Sequence, residues 1–286
     1  MAARTHESKR DDGRSRPAET VLVTGCESSL GRSVARAFSR ADWWVFAASA
    51  DADALIDLDT EGIEPVELQN GRGEGTATVV TDILDRAGRI DCLVTVPPLG
   101  PVGAYERIPP ADLRRYFDRS IHRVHREMRA VLPEMRGRRS GTIIGVLPVD
   151  ARLHLPAHGP TAGAMAAADA GFASARQELT SKDVDVVTVE YWPAELWTDE
   201  GQSGDDAAFS GYHPVKRMIR DVADLGGIPS ATTDAEIATE VLEAATCPDP
   251  DPRSTVGSTA QLAAKLRFIP ARHRLRAIRA LQRIIA

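Results

Sequence analysis

The chain has 286 residues and a mass of 30.8 kDa, which suits one large α/β domain. Its hydrophobic content of 43% and charged content of 27% are typical of a globular protein with a sizeable core. The net charge of −6 and the pI near 5.7 give no reason to expect nucleic acid as a partner, and no apolar run in the sequence is long enough to cross a bilayer.

The N-terminal residues and the cysteines indicate where the protein works. Residues 1–18 are polar with mixed charges, and we predict a disordered leader because nothing in this stretch can be buried. The leader has no apolar segment of the kind found in secretory signals, so we expect a cytoplasmic protein. The three cysteines, Cys26, Cys92 and Cys247, have no metal-binding or redox spacing, and we expect them to be buried and reduced.

A strand, a tight turn and a helix are predicted over residues 21–41. The first apolar run stops at Thr24 and Gly25, and apolar residues at helical spacing begin at Leu30. A helix that starts on such a loop directs its free backbone N–H groups and the positive end of its dipole at one point, which suits a phosphate. Gly25 permits the sharp turn, and Gly31 permits close packing of the helix on the strand.

Strands and helices alternate along the rest of the chain. Short apolar runs predict strands at residues 44–48, 63–68, 92–96, 142–147 and 184–189. Helical spacing and a capping box predict helices at residues 79–87, 113–131, 161–179 and 233–245. This alternation predicts the α/β fold class, with a Rossmann-like doubly wound parallel sheet in a three-layer α/β/α arrangement.

The C-terminal part of the sequence has a weaker pattern. We expect a polar loop at residues 195–206 and short basic helical pieces from Leu262 onward, broken at Pro270. After the leader, we therefore divide the chain into a Rossmann-like domain at residues 19–258 and a basic helical tail at residues 259–286 packed on the same domain. A basic amphipathic helix can also lie on an anionic membrane, although docking on the domain is the interpretation that we favour.

Residues 24–31, Thr-Gly-Cys-Glu-Ser-Ser-Leu-Gly, resemble the Thr-Gly-x-x-x-Gly-x-Gly loop of the short-chain dehydrogenases/reductases, with Ser29 at the place of the middle glycine. Similar segments of the same family follow in order at residues 89–94, 130–135, 140–144 and 176–179. The resemblance implies NAD or NADP as cofactor, for which we expect weak binding, and it implies no metal. The cofactor-contacting positions of the family fall on Thr24, Gly25, Ser29, Leu30, Gly31, Gln69 and Thr95.

The catalytic positions of the family do not carry the family's residues. Its active-site Asn, Ser, Tyr and Lys fall on Ser120, Pro148, Thr161 and Met165. A register shifted by one residue places the Tyr and Lys on Ala162 and Ala166. The family's Tyr is its general acid/base, with a free pKa of about 10, and an aliphatic Thr hydroxyl is a much weaker acid. Because general acid/base catalysis contributes about 10²–10⁴-fold to a rate, the resemblance implies a degenerate active site to which we assign no catalytic residue.

Two functions remain open from the sequence. The one that we favour is a nucleotide-binding or oligomer partner that is non-catalytic or very weakly active. The other is an NAD(P)-dependent oxidoreductase with relocated acid/base groups acting on a lipophilic alcohol or ketone, since residues 253–274 resemble the end of family members that act on steroids and retinoids. The relocated groups would be Tyr105, His154 or His158, although we expect exposed loop residues there. Trp192, at a glycine position of the family, would fill much of the space near the nicotinamide.

Small residues recur every four positions in the helix predicted at residues 161–179. They form two rows, Ala162, Ala166 and Ala170, and Gly163, Ala167 and Gly171. Such residues suit tight packing on the sheet, and they also let two helices approach closely. The corresponding helix forms the dimer interface in members of the family that the chain resembles. We therefore expect a homodimer or homotetramer, or pairing with an active relative.

Overall fold

The computed structural model describes residues 19–50, 55–59, 61–68, 74–149, 154–193, 209–213, 215–216, 232–266, 270, 272–273 and 276. Within these ranges the strands are β1 (Thr20–Thr24), β2 (Trp44–Ser49), β3 (Glu64–Glu67), β4 (Cys92–Thr95), β5 (Thr142–Pro148), β6 (Asp185–Tyr191) and β7 (Arg253–Thr255). They form one parallel sheet in the order β3-β2-β1-β4-β5-β6-β7.

Helices cover both faces of this sheet. In the described part of the chain they are α1 (Ser29–Arg40), α2 (Ile56–Asp59), α3 (Glu74–Ala87), α4 (Pro110–Phe117), α5 (Arg123–Arg138), α6 (Gly159–Leu179), α7 (Asp234–Thr246) and α8 (Ser258–Leu266). Single 3₁₀ turns lie at Tyr105–Arg107 and Thr180–Lys182.

Apolar side chains alternate between the two faces of the sheet. In β1, Val21 and Val23 pack on one face with residues of α1 and α7, and Leu22 packs on the other face with residues of α3, α5 and α6. A parallel strand that is buried on both faces appears in sequence as a continuous apolar run, which is why the short runs indicated the strands. The structure confirms the predicted Rossmann-like doubly wound sheet and the three-layer α/β/α arrangement.

Side-chain caps fix the start of two predicted helices. Ser28 caps α1, because its hydroxyl accepts a hydrogen bond from the N–H of Gly31. Thr233 and Glu236 form the predicted capping box of α7, in which each side chain accepts a hydrogen bond from the backbone N–H of the other residue. A cap of this kind contributes about 1 kcal/mol to helix stability.

The long helix predicted at residues 113–131 is interrupted in the structure. A π-helical turn, Asp118–His122, separates α4 from α5. Within this turn, the hydroxyl of Ser120 donates a hydrogen bond to the carbonyl of Tyr116 at 2.7 Å. A local side-chain bond of this type competes with the regular backbone ladder of an α-helix, and hydrophobic spacing alone does not reveal it.

The strand β7 is a feature that the sequence pattern did not predict. Its residues, Arg253–Thr255, include no apolar side chain. Ion pairs tie Arg253 to Glu190 on β6 and to Asp169 on α6. Polar contacts therefore place this strand, with little help from hydrophobic burial.

The expectation of buried cysteines is wrong for one of the three. Cys26 and Cys92 are free and buried, but Cys247 is exposed at the C-terminal end of α7. The thiol of Cys247 follows the last turn of a surface helix, where nothing covers it within the described residues.

Several predicted segments lie outside the described residues. They are the leader at residues 1–18, the polar loop at 195–206 and most of the tail beyond residue 266. The described start of the tail, α8, packs on the domain through Ala260 and Ala263. Of the helices that the structure describes, none combines the length and the hydropathy of a membrane span.

Candidate functional site

The order of the strands reverses at β1, which creates the kind of crevice in which α/β sheets bind ligands. The chain runs from β1 to β2 and β3 on one side, and then crosses to β4 on the other side of β1. The loop at residues 24–31 and Val96, which follows β4, therefore meet at the carboxyl edge of the sheet. This edge is the candidate site.

Close backbone contacts require glycine at two positions of the loop. Gly25 has a φ of +85°, and a Cβ atom on this residue would collide with the carbonyl oxygen of Val96. A Cβ atom on Gly31 would collide with the carbonyl oxygen of Gly25. Gly25 thus permits the sharp turn and Gly31 the close approach of α1, as their positions in the sequence predicted.

Hydrogen bonds and charge at the start of α1 suit an anion. The hydroxyl of Ser28 donates to the carbonyl of Gly25 at 2.8 Å and accepts from the N–H of Gly31 at 3.0 Å, which holds the loop in shape. Ser29, at the place of the missing glycine, is exposed. The first turn of α1 carries no acidic residue, so the positive end of the helix dipole is not offset by a carboxylate within that turn.

Other predicted cofactor-contacting residues have buried side chains. Leu30 packs in the core between the sheet and α1. Thr24 and Thr95 are fully buried at the ends of β1 and β4, and their hydroxyls face the carboxyl group of Glu127. Contacts from these residues to a ligand would therefore come from the backbone. Gln69 lies outside the described residues.

A buried cluster of charges lies directly behind the loop, and the sequence analysis missed it. Arg123, at the start of α5, donates from Nη1 to Oε1 of Glu27 at 2.9 Å and from Nη2 to the carbonyl oxygen of Val96 at 2.8 Å. Its Nε lies 3.4 Å from Oε1 of Glu127, one turn further along α5. The cluster connects the loop after β1, the end of β4 and α5.

Glu127 is the deepest member of this cluster and is fully buried. Burial raises the pKa of its carboxyl group, while the charge of Arg123 and the hydroxyls of Thr95 and Thr24 lower that pKa in part. In the described part of the chain, no hydrogen bond of regular geometry reaches either carboxylate oxygen. The signal in the sequence was a charged pair, four residues apart, on the apolar side of a helix.

Ser120 and Pro148, on which the resemblance places the first two catalytic positions of the family, have structural roles. The hydroxyl of Ser120 is buried and bonded to the backbone of the preceding turn. Pro148 is the last residue of β5 and pairs with Tyr191 of β6. It has no hydroxyl group with which to hold a substrate carbonyl.

The positions of the family's Tyr and Lys are buried as well. The hydroxyl of Thr161 accepts a hydrogen bond from the N–H of Gly100 at 3.0 Å. Met165 packs in the core between the sheet and α6. In the shifted register, Ala162 is buried and Ala166 is exposed, and neither has a group that transfers protons.

The candidates for relocated acid/base groups differ in exposure. Tyr105 is 72% exposed, and His154 is exposed as well, as we expected. The expectation of an exposed loop residue is wrong for His158, which is buried immediately before α6. Desolvation by burial lowers the pKa of His158 to about 4, so its imidazole is uncharged at neutral pH.

Trp192 belongs to an apolar cluster at the carboxyl edge, beyond β5 and β6. The buried members of this cluster are Val102, Val149, Trp192, Phe209, Ala260 and Ala263. Trp192 is 8% exposed, so its indole ring is packed between the loops and α8. This packing fills the part of the carboxyl edge that follows β5 and β6.

The described residues of the candidate site do not favour a thiol nucleophile in the loop or a metal site. Burial raises the pKa of the Cys26 thiol to about 12, so this loop cysteine is not a nucleophile at neutral pH. Within the ranges given above, no group of three or more His, Cys, Asp or Glu side chains is arranged to hold a metal ion.

Comparison with known proteins gives both sequence relatives and structural neighbours. The chain is 28% identical over 176 residues to an uncharacterized oxidoreductase of Myxococcus xanthus, across 59% of this chain and 70% of that protein. It is 27% identical over 249 residues to a short chain dehydrogenase of Pseudocercospora fijiensis, across 83% of this chain and 77% of that protein.

Solved structures share the fold. A short-chain dehydrogenase from Streptomyces avermitilis superposes with a TM-score of 0.74 at 23% identity, covering 95% of this chain and 100% of that one. An actinorhodin polyketide ketoreductase with NADPH superposes with a TM-score of 0.69 at 17% identity, covering 86% and 97%. The sequence profile of the family described as short chain dehydrogenase matches residues 19–200, and the chain therefore belongs to that family.

Proposed function

We propose that this chain is a nucleotide-binding member of the short-chain dehydrogenase family that does not perform the family's hydride transfer and acts as an oligomer partner. The observation that carries the proposal is the hydrogen bond from the N–H of Gly100 to the hydroxyl of Thr161. This bond gives a structural role to the hydroxyl that lies at the position of the family's acid/base Tyr. Met165, at the position of the Lys, is core packing.

The nucleotide-binding part of the proposal rests on the loop at residues 24–31. Gly25 and Gly31 give it the close-packed backbone that lets a phosphate approach a helix N-terminus. The ketoreductase to which the chain is structurally similar holds NADPH, and NAD or NADP is accordingly the class of ligand that we propose. Of the two halves of such a dinucleotide, the adenosine half is the one that the loop favours.

We propose that the nicotinamide half of the dinucleotide has no open pocket in this protein. Trp192 is packed in the apolar cluster of the carboxyl edge, and Met165 offers no hydrogen bond to a ribose. Tyr105 and His154 are exposed, so neither lies in a buried environment that would tune it for acid/base work, and the relocated-group alternative gains no support from their exposure. We therefore propose that binding is weak and that AMP or ADP-ribose binds about as well as NAD.

Calorimetric titration of the purified protein with NAD, NADP, ADP-ribose and AMP tests this proposal. We expect affinities for NAD and ADP-ribose that agree within about tenfold, or about 1.4 kcal/mol. A clear preference for the full dinucleotide beyond that ratio would show an intact nicotinamide pocket and overturn the closed-site proposal. Absence of binding by all four ligands would overturn nucleotide binding itself.

The partner in the proposed assembly is a second copy of the chain. Gly163, Ala166, Ala167, Ala170 and Gly171 are exposed along the outer face of α6. Beside them, α5 and α6 border a groove of about 490 Å³ whose lining is mostly apolar. A broad face of small residues next to an apolar groove suits close packing against the same face of another protomer. Ala162 is not part of this face, because it is buried within the chain.

A further inference from the structure

Glu27 is an acidic residue in a loop that suits an anion. It directly precedes Ser28, the residue that caps α1, in the loop that receives phosphate under the proposed function, on which this inference rests. A carboxylate beside the positive end of a helix is attracted to that end and repels a phosphate. In the structure, the guanidinium of Arg123 holds this carboxylate at 2.9 Å.

The two partners of this ion pair differ in how firmly they are held. The side chain of Arg123 is 7% exposed, and that of Glu27 is 23% exposed. Arg123 is also fixed by its bond to the carbonyl oxygen of Val96 and by the carboxyl group of Glu127. If the carboxylate of Glu27 leaves Arg123, it moves into the adjacent solvent, while the guanidinium of Arg123 stays in place at the loop.

Glu127 affects the charge balance around Arg123. The groups that act on its carboxyl group are Arg123 on α5, Thr24 on β1, Thr95 on β4 and Glu27 on the loop. Burial raises the pKa of Glu127, which favours its neutral form. Glu27 is the carboxylate that accepts a hydrogen bond from the guanidinium, 2.9 Å from Nη1, and a ligand that replaces it there would meet the same positive charge.

Two arginines of α1 itself are engaged in ion pairs. Arg32 forms an ion pair with Asp57, and Arg36 forms ion pairs with Asp57 and Glu61. These pairs connect α1 to α2 and the turn that follows it. Arg123 contacts the loop directly through Glu27 and the residue after β4 through the carbonyl oxygen of Val96.

We propose that Glu27 and a phosphate group of a bound nucleotide compete for Arg123. Without ligand, Glu27 occupies the guanidinium. A phosphate takes its place and accepts two parallel hydrogen bonds from the planar guanidinium, a geometry that suits phosphate as well as carboxylate. Glu27 thus lowers the affinity for phosphate-bearing nucleotides, and Arg123 favours them over nucleosides.

Calorimetry with ADP and adenosine tests the competition. We expect Glu27→Gln to bind ADP about tenfold more tightly than the wild type, because the amide competes less well than a carboxylate for the guanidinium. Adenosine, which has no phosphate, should bind both proteins equally. Arg123→Lys keeps the charge but loses the planar fork, and it should weaken ADP binding in the wild-type and Glu27→Gln backgrounds alike.

Asp118→Asn is the matched control. It removes one negative charge from an ion pair of the same length, 2.9 Å to Arg126, away from the loop, and it should leave ADP affinity unchanged. Equal ADP affinity of the wild type and Glu27→Gln overturns the inference and leaves nucleotide binding standing. Failure of both proteins to bind ADP and adenosine overturns the proposed function together with the inference. Circular dichroism checks whether Arg123→Lys is folded. If this variant does not fold, the comparison of Glu27→Gln with the wild type decides whether Glu27 and a phosphate compete for Arg123.

Discussion

The hydroxyl oxygen of Thr161 accepts a hydrogen bond of 3.0 Å from the backbone N–H of Gly100. The bond ties the start of α6 to the loop that follows β4. A buried backbone N–H without a partner costs free energy, so the hydroxyl stabilises this junction. If the family's Tyr falls on this position, as the resemblance implies, this chain has a structural contact there in place of a proton-transfer group.

The first prediction is that the wild-type protein does not reduce ketones or oxidise alcohols at an enzymatic rate with NAD(H) or NADP(H). Thr161 and Met165 supply neither the acid/base group nor the neighbouring cation of the family. The measurement is nicotinamide absorbance with steroid, retinoid and simple ketone substrates. Turnover above about 1 s⁻¹, the low end of ordinary enzymes, would contradict it.

The second prediction uses two glycines with opposite surroundings. A Cβ atom on Gly100 would lie 2.8 Å from the hydroxyl oxygen of Thr161 and from the ring of Tyr116, so Gly100→Ala overpacks the junction and should destabilise the fold by about 1–3 kcal/mol. A Cβ atom on Gly137, inside α5, would meet nothing within 4 Å, so Gly137→Ala should stabilise by about 0.5–1 kcal/mol. Urea denaturation of both variants measures the two free energies of unfolding.

The decisive observation is the sign of the change in free energy of unfolding that each of the two substitutions causes. If Gly100→Ala is as stable as the wild type, the junction has room that the structure does not show, and the Thr161 bond is not a tight contact. Gly137→Ala serves as the control for the general effect of removing a glycine from the unfolded chain.

The fold was predictable because its signals are local. The Thr24–Gly25 turn and the Thr233–Glu236 capping box are each contained in a few residues, and each is present in the structure. The charge cluster was not predictable in the same way, since Arg123 and Glu27 are 96 residues apart in the chain. Only the tertiary fold brings them together, and neither residue alone indicates a partner.

Features held by polar contacts were also missed. The strand β7 carries no apolar run, and the ion pairs of Arg253 with Glu190 and Asp169 place it. His158 was expected to be exposed because it lies in a loop before a predicted helix, but tertiary packing covers it. Burial of a single polar residue in a loop leaves no periodic signal.

The third prediction concerns this histidine and acid stability. The pKa of His158 is about 4 in the folded protein against 6.5 for a free histidine. The unfolded chain therefore binds a proton that the folded chain does not between these values, and stability falls as the pH drops below 6.5. The linkage predicts a loss of about 2 kcal/mol from this group between neutral pH and pH 5.

The variant His158→Gln removes this titration. Its free energy of unfolding should change less steeply between pH 7 and pH 5 than that of the wild type, whatever its stability at neutral pH. His213→Gln replaces an exposed histidine outside α5 and α6 and is the matched control, which should follow the wild type. If the free energies of unfolding of the wild type and His158→Gln change in parallel between pH 7 and pH 5, the imidazole takes up its proton as readily in the folded protein as in the unfolded chain. That result would contradict the prediction.

The last prediction concerns assembly through the outer face of α6. Ala166 lies near the middle of the exposed row of small residues, and Ala166→Leu adds a branched side chain to the proposed contact. Overpacking of this kind costs about 1–3 kcal/mol, and in a two-fold dimer the same substitution enters from both protomers. The variant should therefore shift toward monomer in sedimentation velocity at the concentration where the wild type is a dimer or tetramer.

Ala235→Leu provides the control for this experiment. Ala235 is exposed in the first turn of α7, on the opposite face of the sheet from α6, so the same added side chain should leave the assembly unchanged. Circular dichroism of both variants checks that the helices are retained. A wild-type protein that is already monomeric at tens of micromolar would rule out the interface. The exposed glycines and alanines of α6 would then have no partner in solution, and the close packing of Ala164 and Ala168 on the sheet would account for the small residues of this helix.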